Sequence, residues 1–268
     1  MIRTLAFIAV LFHSCAFAAA ADPTWGRDGM VVTSVSPAAP AGRLMLERGG
    51  NAVDAAVATA FAAAVAHPFS SGLGGGLFAV VHDASGGVST TLDARETAPA
   101  SADPEFYRNN PESIRRGKHS VGVPGFVQGA WALHQRFGSL PWAELIEPAI
   151  ALAENGVPVS VWHNRMVSYA VPSLEEFPET RRIQTVDGAA PPLGYLLKQA
   201  DLAKTLRRIA SDGANGFYSG KLARQLVKGV RDGGGIWSRK DLKTYRSVER
   251  LPVVLEYHGW EIVSAPPP

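Results

Sequence analysis

The chain has 268 residues, of which 46% are hydrophobic and 19% charged. That composition suits one large globular domain or two modest ones, and excludes a disordered tail, a collagen-like fibre or a disulfide-dense miniprotein. Lys and Arg number 26 against 24 Asp and Glu, for a formal net charge of +2; without a long basic run to track a phosphate backbone, the charge pattern argues against nucleic acid as a partner.

In chain order, Met1–Ala21 reads as a secretory signal peptide. Arg3 supplies the positive start, Leu5 to Phe12 the apolar stretch, and Ala16-Phe17-Ala18 a small-x-small cleavage site. The apolar stretch is too short to span a bilayer, and no later segment reaches about 18 uninterrupted apolar residues. Cys15 is the single cysteine. Its loss on cleavage removes disulfides, thiolate metal sites and a thiol nucleophile together. The expected location is periplasmic or secreted, with no membrane span after cleavage.

Residues 22–268 read as one mixed α and β domain. Met30 to Ser34 is apolar and β-branched enough to predict a short strand. Ala41, Leu44, Met45 and Arg48, stopped by Gly49-Gly50, predict a helix, and Asn51 is placed to cap a second one over Ala52–Ala66. That second helix is apolar all round and is therefore expected to be buried between layers. His67-Pro68 ends it. A glycine-rich segment, Gly72-Leu73-Gly74-Gly75-Gly76, leads into a hairpin of Leu77–Val81 and Val88–Leu92. Helical spacing then takes over. Val127, Trp131 and His134 share a face, as do Leu145, Ile146 and Ala149 ahead of a stop at Gly156. Pro148 predicts a kink or a fresh helix start there. Leu202, Leu206 and Ile209 mark another helix, and Leu222, Leu226 and Val230 one more. Ser238 and Asp241 pair as a capping box for a short helix through Tyr245. Val253 to Tyr257 and Trp260 to Val263, joined by His258-Gly259, close the chain as a second hairpin.

Few residues on this frame carry chemistry. The glycine segment fails as a dinucleotide site, because Leu77 holds the third glycine position and a strand follows where a helix is required. It fails as a phosphate loop for want of Gly-Lys-Ser/Thr, so tight backbone packing is its expected role. The histidines have no metal-ligand spacing, and Glu175-Glu176 beside Pro178 read as a solvated face. No Gly-x-Ser-x-Gly elbow occurs. Arg95 stands apart. It sits where a strand gives way to a loop, and its guanidinium is a fork that grips a carboxylate with two hydrogen bonds. The competing local reading is an ion pair with Asp93 or Glu96.

A set of segments in order carries a resemblance. These are Gly49-Gly50-Asn51-Ala52-Val53-Asp54-Ala55-Ala56, Gly72 to Gly76, and Asp93-Ala94-Arg95-Glu96-Thr97-Ala98-Pro99. They continue with Ser120-Val121-Gly122-Val123-Pro124-Gly125, Gly216-Phe217-Tyr218-Ser219-Gly220, Gly233-Gly234-Gly235 with Asp241-Leu242, and Pro266-Pro267-Pro268. Together they make the chain resemble the gamma-glutamyltransferases, or glutathione hydrolases, within the N-terminal-nucleophile hydrolases. The resemblance implies an α+β fold, an αββα sandwich incomplete in this chain, with residues 22–268 as the N-terminal part of the large subunit. It implies autocleavage of a precursor, release of a threonine that is both nucleophile and base, and no cofactor or metal. The implied reaction passes the γ-glutamyl group of glutathione or a related amide to water or an amino acid. Arg95 matches the arginine that holds the α-carboxylate of that group, while Asp54 and the glycine segment match structural positions. The catalytic threonine, in a Thr-Thr-His context, is expected beyond Pro268 on a small subunit from the same precursor, and Thr90-Thr91, followed by Leu92, is not that motif. This chain alone is therefore expected to be inactive. Two other readings stay open: an acylase for glutaryl or cephalosporin side chains, and a non-catalytic exported module that binds γ-glutamyl compounds.

Overall fold

The computed structural model describes residues 24–268, so the signal-peptide reading and Cys15 lie outside the described residues. Residues 24–30 carry neither helix nor strand, and the elements of Val31–Pro268 form a separate unit. Its helices are α1 (Ala39–Glu47), α2 (Ala52–Ala66), α3 (Pro104–Asn109), α4 (Phe126–Phe137), α5 (Trp142–Asn155), α6 (Val161–Leu174), α7 (Pro178–Gln184), α8 (Ala200–Asp212), α9 (Asn215–Tyr218), α10 (Gly220–Arg231) and α11 (Arg239–Thr244). Its strands are β1 (Leu77–Asp83), β2 (Val88–Ala94), β3 (Val157–Pro158), β4 (Leu196–Leu197), β5 (Val248–Arg250), β6 (Val253–Tyr257) and β7 (Trp260–Ser264).

The centre of the core is α2. Asn51 accepts hydrogen bonds from the Val53 and Asp54 amides while Asp54 accepts from the Asn51 amide, the reciprocal capping box that fixes where the helix starts. With no polar face to turn to water, α2 packs against α1, α4 and α5, and Ala58, Phe61 and Ala62 are fully buried. The Phe61 ring meets Phe126 edge-on at 5.1 Å and Trp142 at 5.6 Å, a geometry that adds to the area term. On the far side of α5 lies α8, anchored by Leu206 and Ile209 and by the Trp142 indole N–H donating to the Ile209 carbonyl at 2.8 Å.

β1, β2 and β5 form one antiparallel sheet in the order β1-β2-β5, with Leu77 opposite Ala94 and Asp93 opposite Val248. Leu77, Ala79 and Val81 pack toward the core and α4, while Phe78 and Val80 on the alternate positions remain exposed. β6 and β7 make a separate hairpin about His258-Gly259, both at positive φ (50° and 79°), the backbone a two-residue reversal of this hand requires. Its Val254, Tyr257, Trp260 and Ile262 are all exposed. Helices thus cover one face of a single three-stranded sheet and leave apolar strand residues open on the other.

Two expectations need correction. Met30–Ser34 forms no strand: no ladder partner for it exists among the described residues, and β-propensity without a partner makes no sheet. Of the two outcomes expected at Pro148, a kink or a fresh helix start, the fresh start does not occur: α5 continues through it. A proline there forfeits one backbone hydrogen bond, and Leu145, Ile146 and Ala149, all fully buried, hold the helix on both sides of it. α6 and α7 lacked a clear apolar stripe, although the Ser160 hydroxyl does cap α6 through the His163 amide.

Candidate active-site segment around Arg95

β2 ends at Ala94, and the two oxygens of Asp93 divide the work at the exit. Oδ1 accepts from the Arg95 amide at 2.9 Å, and Oδ2 accepts from Arg250 Nε at 2.8 Å. The charge of Asp93 is thereby matched by Arg250, not by Arg95. Among the described residues the guanidinium of Arg95 has one ionic neighbour, Glu96 Oε2 at 3.5 Å from Nε, and its side chain is 60% exposed. An exposed pair of that length contributes at most about 1 kcal/mol. The fork is free to take a better partner.

The backbone around Arg95 is held far more firmly than its side chain. The Tyr245 hydroxyl donates to the Arg95 carbonyl at 2.7 Å. Thr97 and Val123 exchange backbone hydrogen bonds at 3.2 and 2.8 Å, and the Ala100 amide donates to Asp241 Oδ1 at 2.9 Å. The Gly75 carbonyl accepts from the Gly125 and Phe126 amides, both at 2.9 Å. A methyl on Gly76 would lie 2.6 Å from the Ala94 carbonyl oxygen, and one on Gly125 would overlap both that oxygen and the Tyr245 hydroxyl. Close approach of backbone to backbone is therefore what these two glycines provide. The glycine segment, the Ser120–Gly125 segment and the Ser238–Tyr245 segment, separate in sequence, meet around residue 95.

Gly125→Ala is expected to lower stability by about 3 kcal/mol or more, since the overlapping carbonyl belongs to backbone and cannot step aside. Gly74→Ala, with open space around it, is expected to stay within about 0.5 kcal/mol of the parent. Urea denaturation of the two variants checks both figures.

Other candidates resolve into structural roles. Thr91 is buried in β2 with its hydroxyl donating to the Arg250 carbonyl at 2.6 Å, so it is not poised as a nucleophile. Asp54 accepts from Ser139 Oγ and from the Asn51, Ser139 and Leu140 amides. Burial pushes its carboxyl up, but these hydrogen bonds outweigh burial and hold it below the usual carboxylate range. Glu176 lies on the surface, paired with Arg116 at 3.0 Å. No group of three or more metal-ligating side chains gathers among the described residues. A cavity of about 860 Å³ opens beside Tyr218 and Tyr245, with Trp131, Arg224 and Arg246 also in its wall; Arg95 does not line it.

Tyr245, Tyr218, Asp93 and Arg250 frame the candidate site, and of these Tyr245 and Arg250 carry no local signal. Tyr245 and Arg250 follow Arg95 and Asp93 by 150 and 157 residues respectively, and a lone Tyr after a short helix predicts no partner.

The gamma-glutamyltranspeptidase family model matches residues 38–268. The chain belongs to this family. Its similarity to a glutathione hydrolase proenzyme of Pseudomonas sp. (strain A14) is 38% identity over 268 residues, covering 95% of this chain and 46% of that relative. Among solved structures, the gamma-glutamyltranspeptidase of Helicobacter pylori superposes with a TM-score of 0.88 at 37% identity, over 91% of this chain and 72% of that one. A cephalosporin acylase from Bacillus halodurans gives 0.81 at 30% identity, over 94% and 49%. The fold is that of the N-terminal-nucleophile hydrolases, with mixed helix and sheet as expected. This member of the gamma-glutamyltranspeptidase family spans about half the length of the curated relatives it matches.

Proposed function

We propose that the chain supplies the donor-binding part of an enzyme that transfers the γ-glutamyl group of glutathione and related amides to water or an amino acid. The observation that carries this reading is the guanidinium of Arg95, exposed and loosely paired on a backbone pinned from several directions. A rigidly based fork with no strong partner among the described residues suits an α-carboxylate, which it can bind with two charged hydrogen bonds.

The acyl-transfer step needs a nucleophile these residues do not offer. We assign it to a threonine in the half of the fold that the relatives possess outside the matched span. Its hydroxyl adds to the γ-carbonyl, its own α-amine takes the proton, and the amine of the donor leaves with a proton as the acyl-enzyme forms. Water or an amino acid then releases the glutamyl group. Residues 22–268 are on this reading the N-terminal part of a large subunit, partnered by a small subunit from one precursor. Residues 1–21 direct export to the periplasm or the medium. No helix among the described residues is long and apolar enough to cross a membrane.

The likeness to a cephalosporin acylase favours a second reading, an acylase for glutaryl side chains. Such a donor has no α-amino-acid head. Comparing γ-glutamyl and glutaryl anilides as donors for the complete polypeptide separates the two: the proposal expects turnover of the former, and preference for the latter would replace it.

A further inference from the structure

Tyr245 is 5% exposed, and its hydroxyl reaches the Arg95 loop. Its ring stacks on Tyr218, with centroids 5.9 Å apart and planes 6° from parallel. Tyr218 is itself fixed at both lone pair and proton: its hydroxyl donates to the Pro124 carbonyl at 2.8 Å and accepts from the Gln128 amide, in the first turn of α4, at 3.2 Å. The Tyr245 ring therefore cannot swing away without unstacking from a residue that is bonded to the core. The hydroxyl passes through the space left by the missing side chain of Gly125.

The same stretch of chain grips the Arg95 loop again further on. Asp241, closing the capping box of α11, accepts from the Ala100 amide at 2.9 Å, and the Ser101 hydroxyl donates to the Ile236 carbonyl at 3.0 Å. Trp237 Nε1 donates to the Val121 carbonyl at 2.9 Å. With Asp93 on the Arg95 amide and Tyr245 on the Arg95 carbonyl, both polar backbone groups of one residue are held by buried side chains.

We propose that Tyr245, braced by Tyr218, is a positioning residue for carboxylate binding: by fixing the Arg95 carbonyl it sets where the guanidinium fork emerges. The inference rests on the reading of Arg95 given above. Two parallel hydrogen bonds to a carboxylate tolerate displacements of only about 0.5 Å and 10–20°, and the long side chain of Arg95 adds freedom of its own. A fixed base is what limits that freedom. Burial, with the nearby charges of Asp93 and Glu96, pushes the Tyr245 phenol up to about 12. The group thus stays a donor throughout the pH range in which an exported enzyme works.

Tyr245→Phe keeps the ring and the stack and removes only the donor. In the complete enzyme it is expected to raise KM for a γ-glutamyl anilide about tenfold, the worth of one well-placed hydrogen bond. kcat should remain within about twofold and precursor cleavage should be complete, since nothing at the reacting carbon changes. Hydrogen exchange at the Arg95 and Thr97 amides should quicken while the β2 amides upstream keep their rates. Faster exchange with unchanged KM means a merely structural hydroxyl and overturns the proposal; so does any KM with unchanged exchange. If Tyr245→Phe does not mature, Tyr218→Phe keeps the Arg95 bond and the stack but removes the hydrogen bonds that anchor the brace, and must raise KM in the same sense, by about threefold; an unchanged KM there overturns the proposal equally. If the parent enzyme turns over no γ-glutamyl donor, the functional reading falls on its own, and exchange in Tyr245→Phe alone then decides whether Tyr245 positions Arg95.

Discussion

Arg95→Gln in the complete enzyme is expected to lower kcat/KM for γ-glutamyl donors by roughly 10²–10³-fold, the effect of removing a charged, two-pronged contact of about 3–4 kcal/mol. The loss should fall mainly on KM, because the α-carboxylate is remote from the carbonyl that reacts. Arg95→Lys keeps the charge without the fork and is expected to recover only part of the loss. The structure makes this variant clean. Arg95 contributes little burial, its side chain being 60% exposed, and its one ionic contact among the described residues is the 3.5 Å approach to Glu96. The stabilising partner of Asp93 is Arg250, so stability should be unchanged. Steady-state kinetics beside a thermal melt check both halves. Unaltered kinetics would reduce Arg95 to a surface ion pair.

Asp54→Ala is expected to cost about 3–5 kcal/mol of stability, because it strands several donors at once inside the protein. The amides of Asn51, Ser139 and Leu140 and the Ser139 hydroxyl all lose their acceptor. The site is a joint as well as a cap: it ties the start of α2 to the turn between α4 and α5, assisted by the Asn51 side-chain amide donating to the Phe137 carbonyl at 2.6 Å. The pH dependence follows with a definite sign. The folded carboxyl is held below its unfolded value, so the folded state binds its proton less readily than the unfolded one. Its stabilisation is fully present above the unfolded value near 3.8 and is lost as pH falls through the lower, folded value. Denaturation of parent and Asp54→Ala across that window should show the difference between them shrinking toward acid. A constant difference would mean that the carboxylate charge plays no part.

The local devices of the fold were legible because each is written within a few residues. Asn51 with Asp54, Ser238 with Asp241, the Gly49 and Gly156 stops and the His258-Gly259 reversal all act over short separations. Met30–Ser34 misled because a strand is a property of two segments, and composition describes only one of them. No fresh helix starts at Pro148, because tertiary packing on Leu145, Ile146 and Ala149 outweighs one lost hydrogen bond. Of the candidate site, Arg95 is visible from its chemistry and its place at a strand end. Its support was not. Tyr245, Tyr218, Asp241 and Arg250 come to it by folding, and no period or cap connects them to residue 95.

The exposed positions of the sheet face follow the same logic. Phe78, Val80 and Val248, and on the separate hairpin Tyr257 and Trp260, sit on strands whose outward side is apolar and uncovered in this chain. Large apolar faces of this kind are normally covered by further structure or bring molecules together. That agrees with the proposal that this chain supplies one part of a larger sandwich.

The most direct test of the account is turnover of a γ-glutamyl anilide by two purified proteins: the 268-residue chain alone, and the same chain continued by the half that its relatives carry. No turnover above background is expected from the first, and turnover from the second only after cleavage at a new N-terminal threonine. Activity in the chain alone, or a cleaved complete protein that leaves the γ-glutamyl bond intact, would contradict it.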